Sequence, residues 1–159
     1  MRKLIISGPF NWGKTSLLIR FFSALKKKGY QAGGFLAEKE FEGSSRFYSA
    51  FFSYSKERFP LVEVSGRGLI YSPCAFNEVR KRTMADISCP VLVIDEIGPL
   101  EFMGRGHARL LKYINMRYRG LLVLSCRPEL SSSLAAFIGK AQLLEKPSLK
   151  ELIEWTGLK

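Results

Sequence analysis

The chain is poor in cysteine and poorer in histidine. Cys74, Cys89 and Cys126 are odd in number, widely spaced and without a C-x-x-C pair. They do not form a disulfide framework; reduced thiols are the expectation, and with them a cytoplasmic location. His107 is the one histidine, at a position that reads as a solvated helix site. Long apolar runs are missing too. Leu121-Leu122-Val123-Leu124 is among the longest, far short of the ~20 residues that cross a bilayer. Met1 to Ile6 starts like a signal peptide, but Gly8-Pro9 ends the apolar run at once. No membrane partner is expected. Repeats, low-complexity tracts and linkers are lacking, so residues 1–159 read as a single domain.

Acid is also scarce. The 14 Asp and Glu face 25 Lys and Arg, leaving a net charge of +11. Such an excess attracts polyanions. No arginine-rich tail or aromatic-basic ribonucleoprotein pattern accompanies it, and Lys26-Lys27-Lys28 suits the end of a helix, where the dipole stabilises cations. Nucleic acid is therefore a possible but not a favoured partner, and a monomer is expected.

What is present is a phosphate-binding signature. Gly8-Pro9-Phe10-Asn11-Trp12-Gly13-Lys14-Thr15 fits G-x-x-x-x-G-K-[ST], with Ser16 following. The apolar run Lys3–Ser7 before it reads as a buried strand. Leu17, Leu18, Phe21, Phe22 and Leu25 after it recur at helical spacing as far as Gly29. In that arrangement the loop N–H groups and the helix N-terminus face a polyphosphate, Lys14 reaches the β/γ oxygens, and the Thr15 hydroxyl ligates Mg²⁺. Asn11 tolerates a left-handed backbone. Trp12 has to point away from the phosphates, either beside the nucleotide or onto the protein. A nucleoside triphosphate is the expected ligand.

The rest alternates strands and helices, as an open α/β sheet does. Gly33 to Glu38 reads as a second strand. Residues 46 to 64 are aromatic and β-branched with a break at Pro60, which predicts an antiparallel hairpin at the sheet edge. Leu69–Tyr71 continues it. Helices are predicted over 74–86, through Arg109 to Tyr118, and over 131–138. A last one opens at the Ser148-to-Glu151 capping box. Strands fall at 90–95, 121–125 and 141–144.

The strand at 90–95 ends in Asp95-Glu96, and acids at that end of a parallel strand lie beside the phosphate crevice. Asp95 is placed to hold Mg²⁺ through water. Glu96 is placed to orient or deprotonate an attacking water. Arg127, after the strand 121–125, is the first candidate for stabilising transition-state charge. A small-metabolite or nucleotide kinase shares the P-loop, but needs an arginine-rich lid that the sequence does not show. A nucleic-acid-associated ATPase is the other alternative.

With these residues in view, the chain resembles the small P-loop nucleoside-triphosphatases of the THEP type. The likeness rests on the P-loop, on Gly34-Phe35-Leu36-Ala37-Glu38, on the Tyr71 to Phe76 segment, and on Asp95-Glu96-Ile97-Gly98-Pro99-Leu100-Glu101. The resemblance implies a three-layer fold with a mostly parallel, RecA-like sheet. It also implies slow hydrolysis of ATP, GTP and other nucleoside triphosphates to diphosphate and phosphate. In such a sheet the strand 121–125 should separate 3–7 from 91–95.

Overall fold

The structure is a computed structural model describing residues 1–158. The chain begins with β1 (Arg2–Ser7), α1 (Lys14–Lys27), β2 (Ala32–Glu42), β3 (Ser45–Phe51), β4 (Arg58–Ser65) and β5 (Gly68–Tyr71). Then come α2 (Pro73–Ala85), β6 (Val91–Ile97), the one-turn helix α3 (Pro99–Phe102), α4 (Ala108–Arg117) and β7 (Leu121–Cys126). After a 3₁₀ turn at Pro128–Leu130, α5 (Ser131–Ile138), β8 (Gln142–Glu145) and α6 (Leu149–Thr156) complete the described chain.

All strands join one sheet in the order β5-β4-β3-β2-β6-β7-β1-β8. From β2 to β8 the ladders are parallel. Strands with both faces covered must be apolar throughout, which is why β1 and β6 read as continuous runs. Their alternate side chains serve two cores. Val91 and Val93 face the side covered by α1 and α6, with Leu4, Phe21 and Trp155. Leu92 and Ile94 face the side covered by α2, α4 and α5, with Val79, Leu111 and Leu134. The three-layer fold follows.

β7 lies between β1 and β6, as the RecA-like expectation has it: Leu4 and Val93 both pair with Val123. The hairpin at 46–64 forms, as β3 against β4. Its expected place at the edge is corrected. β2 runs on to Glu42 and pairs antiparallel with β3, while β5 pairs outside β4 and takes the edge. The register shifts at Tyr48/Ser49, beside Pro60, which has no N–H for the ladder.

Gly34 explains part of the phrase it opens. Its φ is +91°, and a Cβ there would meet the Val93 carbonyl oxygen at 1.9 Å. Its N–H donates to Asp86 Oδ2 at 3.0 Å. Only glycine lets β2 come this close to β6, and that approach carries Ala37 to the site.

Candidate functional site

The P-loop connects β1 to α1. Asn11 (φ 60°) and Gly13 (φ 99°) are both left-handed, so the backbone curls before the helix begins. Trp12 N donates to the Pro9 carbonyl at 3.2 Å, and Leu17 N to Gly13 at 2.9 Å. The two options for Trp12 resolve onto the protein. Its indole covers Gly8, where a Cβ would sit 2.7 Å from Cε3, and packs against the core under α1. Gly8 is glycine to make room for that ring.

Lys14 is buried at 4% exposure. Its Nζ donates to the carbonyl oxygens of Gly8 (2.8 Å) and Pro9 (3.1 Å), so the loop is closed on its own lysine. Asn11, Gly13, Lys14, Thr15 and Ser16 line a crevice of about 630 Å³. Phe10 does not. It is 41% exposed and borders a neighbouring cavity. Ala37, Glu38, Lys39, Glu40, Arg58 and Glu96 complete the lining of the same crevice.

Asp95 ends the parallel part of β6 and is fully enclosed. Its Oδ2 accepts from Thr15 Oγ1 at 2.7 Å and from the Ala37 N–H at 3.0 Å, and its Oδ1 accepts from the Ser125 hydroxyl. Burial pushes its carboxyl above the usual range, opposed by those three hydrogen bonds and reinforced by the charge of Glu96. Hydroxyl and carboxylate oxygens converging at this spacing are the hard donor set that suits Mg²⁺.

Between Ile94 and Ile97 the β6–β7 register slips, and Glu96 takes a left-handed φ of 61°. Its N–H donates to Ser125 Oγ at 2.9 Å, which fixes the bulge. Bulges of this kind re-aim a side chain at a strand end. Glu96 Oε1 pairs with Lys39 Nζ at 3.4 Å, while Oε2 is buried with no hydrogen-bond partner among the described residues. Oε2 is therefore an acceptor still to be filled. Lys39 is an addition to the sequence reading. The signal for Lys39 was its place two residues after Ala37, since strand periodicity returns it to the same side.

The fourth candidate lies apart. Arg127 does not line the P-loop crevice; it borders the neighbouring cavity and pairs with Glu129 at 3.4 Å.

His107 corrects an expectation. It is 4% exposed rather than solvated, with its ring 4.6 Å from Phe35 and 4.7 Å from Phe76. The reason is the loop between β6 and α4. Glu101 accepts from the N–H groups of Gly98 (2.9 Å) and His107 (2.8 Å), which turns the residue inward before α4 starts. Burial lowers the His107 pKa to about 3, so the ring is neutral at pH 7.

Because that folded value lies below the ordinary 6.5, the unfolded chain takes the proton first. Stability is complete above about pH 6.5 and drains away as pH falls towards 3, by up to ~5 kcal/mol from this group alone. A His107→Gln variant is expected to lose about 2 kcal/mol less than the parent between pH 7 and 4.5 in urea titrations. Equal losses in both proteins would show that burial does not hold this imidazole neutral.

Comparison with known proteins places this geometry. A family model described as NTPase matches residues 3–142. The nucleoside-triphosphatase THEP1 of Methanocaldococcus jannaschii is 27% identical over 113 residues, a stretch covering 65% of this chain and 65% of the relative. The chain thus matches just under two thirds of that relative's length. The solution structure of a human cancer-related nucleoside triphosphatase aligns with a TM-score of 0.75 at 18% identity, over 98% of this chain and 97% of that one. At that identity the likeness is one of fold.

Proposed function

This chain belongs to the NTPase family, and on that premise we propose that it hydrolyses nucleoside triphosphates to diphosphate and phosphate, with Mg²⁺ and with both ATP and GTP as substrates. The observation that carries the reading is the meeting of Lys14, Thr15 and Glu96 in one crevice, with Asp95 hydrogen-bonded to Thr15 behind them. Triphosphate oxygens take over Lys14 from the Gly8 and Pro9 carbonyls that hold it. Thr15 and Asp95 would hold Mg²⁺, which when bound supplies positive charge to the β and γ oxygens.

Glu96 orients a water through Oε2 and takes its proton, and Ser125 holds the backbone of that residue in place. Lys39 offers charge near the terminal phosphate, and Arg127 remains a further candidate if it leaves Glu129. Hydrolysis is favoured over transfer by the placing of β7 between the two motif strands, an argument by analogy of fold. The three free cysteines support a cytoplasmic location, and we take the chain to act as a monomer without nucleic acid.

The test is a panel of ATP, GTP, CTP and UTP, each with Mg²⁺ or with EDTA. Phosphate release from ATP and GTP that EDTA stops is expected. Release unaffected by EDTA would remove the metal from the reading. Transfer of labelled γ-phosphate to an added nucleoside, with none to water, would replace the hydrolase by a kinase.

A further inference from the structure

A second cavity, of about 440 Å³, has Glu96 in its lining. Tyr48 of β3, Leu61 of β4, Phe35 of β2 and Phe76 of α2 are among its walls, and Arg46 and Arg127 border it. None of Gly13, Lys14, Thr15 or Ser16 lines it. It adjoins the phosphate crevice, sharing Ala37 and Glu96 with it, and Phe10 of the loop and Asp95 line it as well.

Two lining residues carry buried polar atoms with no hydrogen-bond partner among the described residues: Nδ1 of His107 and Oε2 of Glu96. Leaving such an atom unpaired costs about 1–3 kcal/mol, more for a charged group. A wholly apolar ligand would leave both unpaired. A wholly polar one would waste the aromatic walls. The imidazole is neutral, so it offers one hydrogen bond without adding charge. The volume is within the ordinary range for small-molecule sites.

We propose that this cavity is a second small-molecule site, for a planar heteroaromatic molecule carrying hydroxyl groups, filled alongside a triphosphate in the P-loop. The ring packs on Tyr48 and Phe76, a hydroxyl donates to Glu96 Oε2, and a ring nitrogen or hydroxyl pairs with His107 Nδ1. Arg46 and Arg127 take up a carbonyl or anionic substituent. Lys39 links the two spaces. Its Nζ stands 3.4 Å from Glu96 Oε1, 4.5 Å from the Phe10 ring centre and 5.8 Å from that of Tyr48. A ligand in the cavity therefore reaches the residue assigned to water, and its hydroxyl competes with that water.

The proposal rests on the triphosphate reading only for simultaneous occupancy, so the two fail separately. The probes are adenosine, guanosine, cytidine and uridine, with toluene and ribose as the apolar and polar halves alone. Binding to the full chain is followed by saturation-transfer NMR, with and without saturating ADP. At least one nucleoside is expected to bind with a Kd below about 1 mM, and toluene and ribose more weakly. ADP should not displace it. Tyr48→Ala and His107→Phe should each weaken it at least about tenfold, with circular dichroism confirming that both variants fold. Lys14→Ala should leave it unchanged even if the triphosphate reading is wrong. No nucleoside binding, displacement by ADP, or binding that survives Tyr48→Ala and His107→Phe but is lost in Lys14→Ala would overturn the proposal.

Discussion

Replacing Lys14 by alanine is expected to abolish tight triphosphate binding, and hydrolysis with it. The amine is buried and already desolvated, and the Gly8 and Pro9 carbonyls hold it at the loop. Phosphate oxygens in place of those carbonyls would accept charge-assisted hydrogen bonds, and losing them is expected to cost about 3 kcal/mol, or ~100-fold in affinity. Alanine also leaves the Gly8 and Pro9 oxygens without their donor, so part of any loss could come from a relaxed loop. Lys14→Gln separates the two effects, since its amide can still donate to a carbonyl while carrying no charge. Both variants should show the same collapse in nucleotide titration calorimetry. Hydrolysis of ATP and GTP by Lys14→Ala at the parent's rate would show that the loop is not the phosphate site.

Glu96→Gln should separate binding from turnover. The amide keeps the size of the side chain, and the backbone bond to Ser125 holds the bulge in place. Proton acceptance is lost. Turnover falls about a hundredfold, the usual scale for removing a positioned base. Binding persists or tightens, because Lys39 loses its 3.4 Å ion pair and is released towards the phosphates. Calorimetry with a non-hydrolysable triphosphate and single-turnover phosphate release measure the two effects independently. A variant that turns over like the parent would remove Glu96 from the chemistry.

The parts of the fold legible in the sequence are those where a local pattern has a single geometric solution. The P-loop between an apolar run and a helical repeat could be placed because glycine, lysine and threonine have fixed jobs there. Buried strands at 91–95 and 121–125 showed as unbroken apolar runs because both their faces are covered. Asn11 was read as tolerating a left-handed backbone, and its φ of 60° is left-handed. His107 was misread because its burial comes from Glu101 gathering two backbone N–H groups, and no spacing rule announces such a turn. The left-handed Glu96 was likewise hidden, since the bulge arises from a register slip against a strand some thirty residues further on. Lys39 became relevant only when β2 was seen to lie beside β6, and that depends on the missing Cβ of Gly34.

The strand that launches the P-loop has no early partner. Among the described residues, 2–7 pair only with 121–126 and 142–145, so this strand is held by two that are made much later. During synthesis the phosphate signature precedes its partner strands and has to wait for them, because closing so long a loop must precede any reward from the ladder. The antiparallel strands from 32 to 71 lie close in sequence and can assemble in that interval. Nucleotide competence is thus a property of the finished chain. A fragment ending before residue 121 would carry the whole signature and no partner strand to mount it on.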